Sequence, residues 1–213
     1  MHSIDHIFTD LNIISKIKAK LPKLFQLAEL DNSRGGKLGM EIGSARERII
    51  IALLIYNFGN ENVITNIPLT QNETDVIVFG RSISIKTITS NKIVGVKLIW
   101  TVDAHKSLEF INNYKAECDM LFIHINWNGS GGIYLISQEA QTYLLNKYGK
   151  DFYFKLPKAG TNPRGVEITK DAMNELVNHS STKSIPIQWV RSQDQENTPY
   201  DRWVEMWRND DNN

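Results

Sequence analysis

Apolar positions recur at helical spacing between Leu11 and Leu30, with Ile14, Ile17, Leu21, Leu24 and Leu27 along one stripe. Asp10 is placed to cap that helix, and Pro22 marks a point where it kinks or splits in two. A polar loop, Asp31-Asn32-Ser33-Arg34-Gly35-Gly36-Lys37, separates it from a second helix running from about Gly43 to Phe58. Ser44 is a candidate cap for the second helix and Gly59-Asn60 its stop.

The pattern then shifts to short strands: Val63 to Ile67, Thr74 to Phe79, Ser82 to Ile88 and Ile93 to Thr101, with a tight turn at Gly80-Arg81. Asp103 to Tyr114 reads as a helix, and Asp119 to Asn126 and Gly132 to Ile136 as strands joined through a loop at Asn128 to Gly132. Gln138 to Tyr148, Thr169 to Asn178 and Pro199 to Arg208 complete the helical segments. This order predicts a mixed central β-sheet flanked by helices, in the α/β or α+β class. One domain over residues 1–213 is expected. It divides into a helical N-terminal part (1–40), a core carrying the chemistry (41–126) and recognition or dimerisation elements (127–213).

Composition narrows the function classes. With 41% hydrophobic and 23% charged residues the chain has material for a core and is not a disordered polymer. Cys118 is the single cysteine, so no intrachain disulfide forms, and the apolar run from Ile49 to Ile55 is too short to span a bilayer. Met1 to Asp10 is polar and mixed in charge, unlike a signal peptide. A cytoplasmic protein is expected. The formal net charge is zero, which by itself does not suggest a nucleic-acid partner. The distribution is uneven, however: residues 1–115 hold 14 Lys/Arg against 11 Asp/Glu, and the acidic excess lies further on, notably at Asp210 and Asp211.

The chemistry-bearing segment runs from Asn72 to Thr87. A turn centred on Gly80-Arg81 sets Asp75 opposite Lys86 and Ile77 opposite Ser84, and places all four on one sheet face. Val76, Val78, Ile83 and Ile85 then form an apolar opposite face. A carboxylate beside an ammonium suits phosphodiester hydrolysis: the acid holds a divalent cation, and the lysine stabilises developing negative charge. By spacing alone an ordinary surface ion pair is the commoner outcome, contributing little. The second helix shifts that balance. Glu47 shares the core-facing stripe with Ile50, Ile51 and Leu54, and a carboxylate there is costly unless paired or metal-bound. Glu41, outside the helix, is the competing acid and is expected to be exposed.

An acid-bearing helix, then Asp75, then a hairpin return ending in Ser84-Ile85-Lys86-Thr87 resembles the PD-(D/E)XK nucleases, specifically the type II restriction endonucleases. The resemblance covers roughly residues 41–126. It implies a restriction-endonuclease-like fold, Mg2+ as cofactor, double-stranded DNA as substrate and a homodimer. Asp75 would be a metal ligand, Lys86 the catalytic lysine and Glu47 a supplementary metal-site acid. Overall the chain resembles one member of that family, a resemblance that would imply a CGCG target. Two positions depart from the pattern. Thr74 stands where a proline is often found, and Ser84 replaces the usual second acid, leaving weak or water-mediated metal binding to the hydroxyl.

Two loops carry candidate DNA-contacting side chains: Arg34 and Lys37 in the first, and Lys155, Lys158, Asn162 and Arg164 in the second. Arginine paired bidentately with guanine is the commonest specific contact, so Arg34 and Arg164 lead. Met40 is a candidate wedge between base steps, with core packing as the alternative. The five histidines (His2, His6, His105, His124 and His179) show no metal spacing, and His124 reads as a satisfied interior residue. Trp189, Trp203 and Trp207 read as core. A structure-selective or repair nuclease, and a non-catalytic α/β binding module, remain the alternative functions at this point.

Overall fold

The computed structural model describes residues 3–34, 37–38, 41–68, 73–155, 165–192 and 204, without the side chains of residues 34, 37 and 38. The first helix, α1 (Leu11–Asp31), begins where Asp10 accepts hydrogen bonds from the Asn12 and Ile13 amides at 2.8 and 3.1 Å. Pro22 lies within it without splitting it. A small hairpin of β1 (Ser33–Arg34) and β2 (Lys37–Leu38) follows, pairing Arg34 with Lys37. Helix α2 (Ile42–Phe58) starts two residues before Ser44, so that serine sits inside the first turn; Glu41 is the cap residue, with no side-chain cap bond. Gly59 ends α2 as expected.

Next come β3 (Val63–Ile64), β4 (Val76–Val78), β5 (Arg81–Thr89), β6 (Val96–Ile99) and α3 (Ala104–Asn113), the last capped by Asp103. The remainder is β7 (Asp119–Ile125), β8 (Gly129–Ile136), α4 (Gln138–Tyr148), α5 (Lys150–Tyr153), β9 (Phe154–Lys155), β10 (Val166–Ile168), α6 (Lys170–Val177) and β11 (Lys183–Trp189). The glycine run after Asn128 is not a loop. Gly129 to Gly132 belong to β8 and pair with β11, a strand whose alternation of Ile185, Ile187 and Trp189 with polar residues the sequence reading had passed over. The expected helix from Pro199 to Arg208, with Trp203 and Trp207, lies outside the described residues apart from Val204.

A six-stranded sheet in the order β11-β8-β7-β5-β4-β3 forms the centre. Only the β5–β7 pairing within it is parallel, so the sheet is mixed as predicted. One face carries Val76, Val78, Ile83, Ile85, Leu121 and Ile123 into a core with Ile17, Phe25, Ile50 and Leu54 of α1 and α2. The other carries Met120, Phe122 and Ile136 into a second core, closed by α3, α4, α6 and the three-stranded sheet β6-β10-β9. Burial on both faces explains why β7 is apolar from Met120 to Ile123. Among the described residues no helix is long and apolar enough to cross a membrane.

Helices α1 and α2 and the edge of the sheet meet at one buried carboxylate. Glu29 of α1, 3% exposed, takes the guanidinium of Arg46 from α2, the Trp127 indole N–H at 2.9 Å and Arg191 at 2.6 Å. Truncating it leaves Arg46 charged and unpaired in the interior. Glu29→Ala is therefore expected to cost about 3–5 kcal/mol, read as a fall in the denaturation midpoint at unchanged slope. A loss within the range of a surface substitution would show that the pair is dispensable.

Candidate active site

The hairpin between β4 and β5 turns at Phe79-Gly80, with φ of 50° and 78°, not at Gly80-Arg81. Two successive positive φ angles make a two-residue turn whose twist suits the strands, and glycine takes the second place without strain. Val76 therefore faces Ile83 and Ile77 faces Ser82. The expected pairing of Asp75 with Lys86 is thus displaced by two residues, and Asp75 falls opposite Ser84. A slip of two preserves which face each side chain occupies, so Asp75, Ser84 and Lys86 still share a face. Lys86 stands diagonally from Asp75, its Nζ 3.8 Å from Oδ2.

Asp75 is held from two sides. Its amide donates to Ile83 O at 2.9 Å, which extends the ladder past the end of β4. Its Oδ2 accepts from the Ile85 amide at 2.6 Å and from the Ser84 hydroxyl at 3.3 Å. Ser84, 3% exposed, thus has its hydroxyl directed at Asp75. Among the described residues no hydrogen bond claims Oδ1 of Asp75, so that oxygen is free to coordinate.

Glu47 approaches from the other layer. Its helix covers the opposite face of the sheet through Ile50 and Leu54, yet its carboxylate feels the Asp75 charge. Burial, and then repulsion by Asp75, raise its pKa above the usual glutamate value, with Lys86 acting against them. Glu41 is exposed, as expected.

Glu73 belongs with them. It lies two residues before Asp75, in the turn ahead of β4. Burial pushes its carboxyl up to about 7, with Lys86 opposing and Glu117 and Asp75 adding repulsion. It opens onto a cleft of about 370 Å³ lined also by Ile99, Lys106, Tyr114 and Glu117. Among the described residues no three His, Cys, Asp or Glu side chains are already gathered as a metal-binding group. What the geometry presents is one pinned aspartate with an unclaimed oxygen and two glutamates whose ionisation it opposes. A hard cation relieves that repulsion, and Mg2+ needs only one or two carboxylates beside its waters.

The other expected residues divide. His124 is interior, with Nε2 3.0 Å from Ser90 O, and Trp189 is fully buried. Lys155 is exposed at the end of β9, 3.2 Å from Glu167. The side chains of Arg34 and Lys37, and the whole of Met40, Lys158, Asn162 and Arg164, lie outside the described residues.

Comparison with known proteins decides the family. A family model described as restriction endonuclease ThaI matches residues 7–209. The chain belongs to the ThaI restriction endonuclease family. It is thus a site-specific nuclease of the type II restriction class, the class its hairpin and helix resemble. A solved structure described as a restriction endonuclease in complex with substrate DNA is 50% identical in sequence. Its match covers 96% of this chain and 98% of that one, with a TM-score of 0.88. No curated protein matches the chain.

The raised Glu73 carboxyl makes the enzyme's stability pH-dependent. Between the ordinary glutamate value of 4.5 and about 7 the folded state keeps a proton that the unfolded chain releases. Stability therefore falls as pH rises through that interval, and Glu47 acts in the same direction. In chelating buffer, denaturation midpoints of Glu73→Gln are expected to lose most of this fall; a parent-like slope would place the Glu73 proton elsewhere.

Proposed function

We propose that this enzyme is a cytoplasmic, Mg2+-dependent endonuclease that hydrolyses both strands of duplex DNA at a short palindromic site. CGCG is the proposed target and a homodimer the proposed working form. A two-fold dimer presents two equivalent active sites to a two-fold sequence. Support for DNA as substrate comes from the 50%-identical restriction endonuclease, described in complex with substrate DNA.

The observation that carries the active-site assignment is the pinned Asp75 with Lys86 beside it. Two directional bonds from β5 fix the Asp75 carboxylate, so a ligand oxygen is in place before substrate arrives. Asp75 and Glu47 would hold the metal, with Glu73 adjoining. Ser84 does not supply the missing acid directly; its hydroxyl orients Asp75. Magnesium, when bound, supplies Lewis-acid polarisation of the scissile phosphate. Lys86, 19% exposed in its side chain and 3.8 Å from the aspartate oxygen, reaches into the same space. There its ammonium stabilises the negative charge that builds on the phosphoryl oxygens during attack by water.

The test is cleavage of plasmid DNA in magnesium. The parent is expected to give discrete fragments, and Asp75→Ala or Lys86→Ala to slow cutting by at least about a hundredfold with the fold intact. Glu47→Gln is expected to raise the Mg2+ concentration for half-maximal cutting by about tenfold or more. Undiminished cutting by the Asp75 or Lys86 variant would overturn the site; an unaltered metal requirement in Glu47→Gln would remove that residue from it.

A further inference from the structure

The outward face of the three-stranded sheet β6-β10-β9 has a composition that its fold does not require. Its inward face, with Val96, Leu98, Phe154, Val166 and Ile168, closes the second core. On the outward face, Glu167 is the register partner of both Lys97 and Lys155, which makes a row of two lysines around one acid. The acid is engaged by Lys155 at 3.2 Å. Lys97 makes no ion pair among the described residues. Its ammonium lies instead 4.1 Å from the centroid of the Trp100 ring. Trp100 is 63% exposed, and Val102 beside it 64%. Trp100 and Val102 thus form an exposed apolar pair beside Lys97.

Two further observations place this face relative to the chemistry. Ile99, the neighbour of Trp100, lines the same cleft as Glu73, two residues from Asp75. The cleft that holds Glu73 therefore reaches the last residue of β6, immediately before Trp100. At the other end, Gly165 returns the chain from residues 156–164 and is wedged against β6. Its φ is 111°, and a Cβ there would collide with the Ile99 carbonyl. The start of β10 is thus anchored against the end of β6, one residue before Trp100.

We infer that Trp100, Lys97 and Lys155 form a platform for the DNA backbone flanking the scissile phosphate. The inference rests on the nuclease reading and deepens it by naming where the duplex lies. The indole offers a flat apolar plate to deoxyribose, and the two ammonium groups meet phosphates on either side. Such contacts position a duplex without reading its sequence. Charge selects this occupant: the row has an excess of cations beside a site built to act on a polyanion.

Binding is measured by fluorescence anisotropy of a short labelled duplex containing CGCG, in the Asp75→Ala background so that nothing is cut. Trp100→Ala is expected to weaken binding about tenfold, and to do so equally for a duplex with a scrambled site. Lys97→Met with Lys155→Met is expected to flatten the dependence of log K on log salt by about two, near 0.9 per lost phosphate contact. Circular dichroism and elution volume monitor fold and assembly. Trp100→Phe, which keeps an aromatic plate, should retain most of the affinity. Unchanged affinity and salt slope in folded variants would overturn the platform while leaving the nuclease reading intact. So would a Trp100 variant that altered dimerisation but not DNA binding. If the parent neither binds nor cuts duplex DNA, the nuclease reading fails and the platform falls with it.

Discussion

The buried carboxylate of Glu29 is the constraint that sets one half of this enzyme against the other. It stands near the end of α1 and takes Arg46 from the start of α2, Trp127 from the β7–β8 turn and Arg191 from the exit of β11. Arg191 also lies over the Trp127 ring, 4.2 Å from its centroid. Burial pulls the Arg46 guanidinium below its usual range, and Glu29 opposes that pull. Such a network contributes little net stability compared with apolar packing. What it fixes is relative position. Arg46 is the residue before Glu47, so the contact that locates α2 also locates the helix acid. The segment between Glu29 and Arg46 includes Arg34, Lys37 and Met40, and this contact ties its two ends together.

The proposed metal site uses the sheet as a partition. Asp75, Ser84 and Lys86 lie on the face of the second core, whereas α2, with Glu47, covers the first core. Neither layer alone assembles the carboxylates. Burial against the two cores raises both glutamate pKa values, and repulsion by Asp75 adds to it. A fold selected for stability alone would not bury glutamates whose ionisation an aspartate opposes. Their persistence is the cost of readiness for a cation, the trade expected where a site breaks a local rule.

The sequence exposed these features unequally, and the reasons are physical. Strand parity depends only on counting residues, so the shared face of Asp75, Ser84 and Lys86 was legible without knowing the turn. Register depends on the turn, and nothing in Phe79 announces a left-handed backbone; the pairing was therefore two residues out while every face was right. Glu47 was legible because it conflicts with its own apolar stripe. Strand β11 and the glycine-rich β8 were not, since each makes sense only against the other, and their pairing joins residues 48 to 60 positions apart. The Glu29 network was invisible for the same reason. Lys97 and Trp100 could be noted but not placed, because their face is defined by pairing with β10.

Zero net charge looks like an objection to a DNA-cutting enzyme, and the structure changes its meaning. Several cations are committed internally: Arg46 and Arg191 to Glu29, Arg81 to Asp119 and Asp5, and Lys183 to Asp5 at 2.7 Å. These pairs neutralise acids that would otherwise repel a phosphate backbone. Lys97 is left facing outward beside Trp100, and Lys106 lines the cleft beside Glu73. Locally the surface is selective even though the total is neutral. A chain without a broad basic field gains little from non-specific attraction, the salt-dependent component of DNA affinity. For this enzyme, discrimination between the target and bulk DNA then depends on short-range contacts made after docking, which is the regime a site-specific nuclease requires.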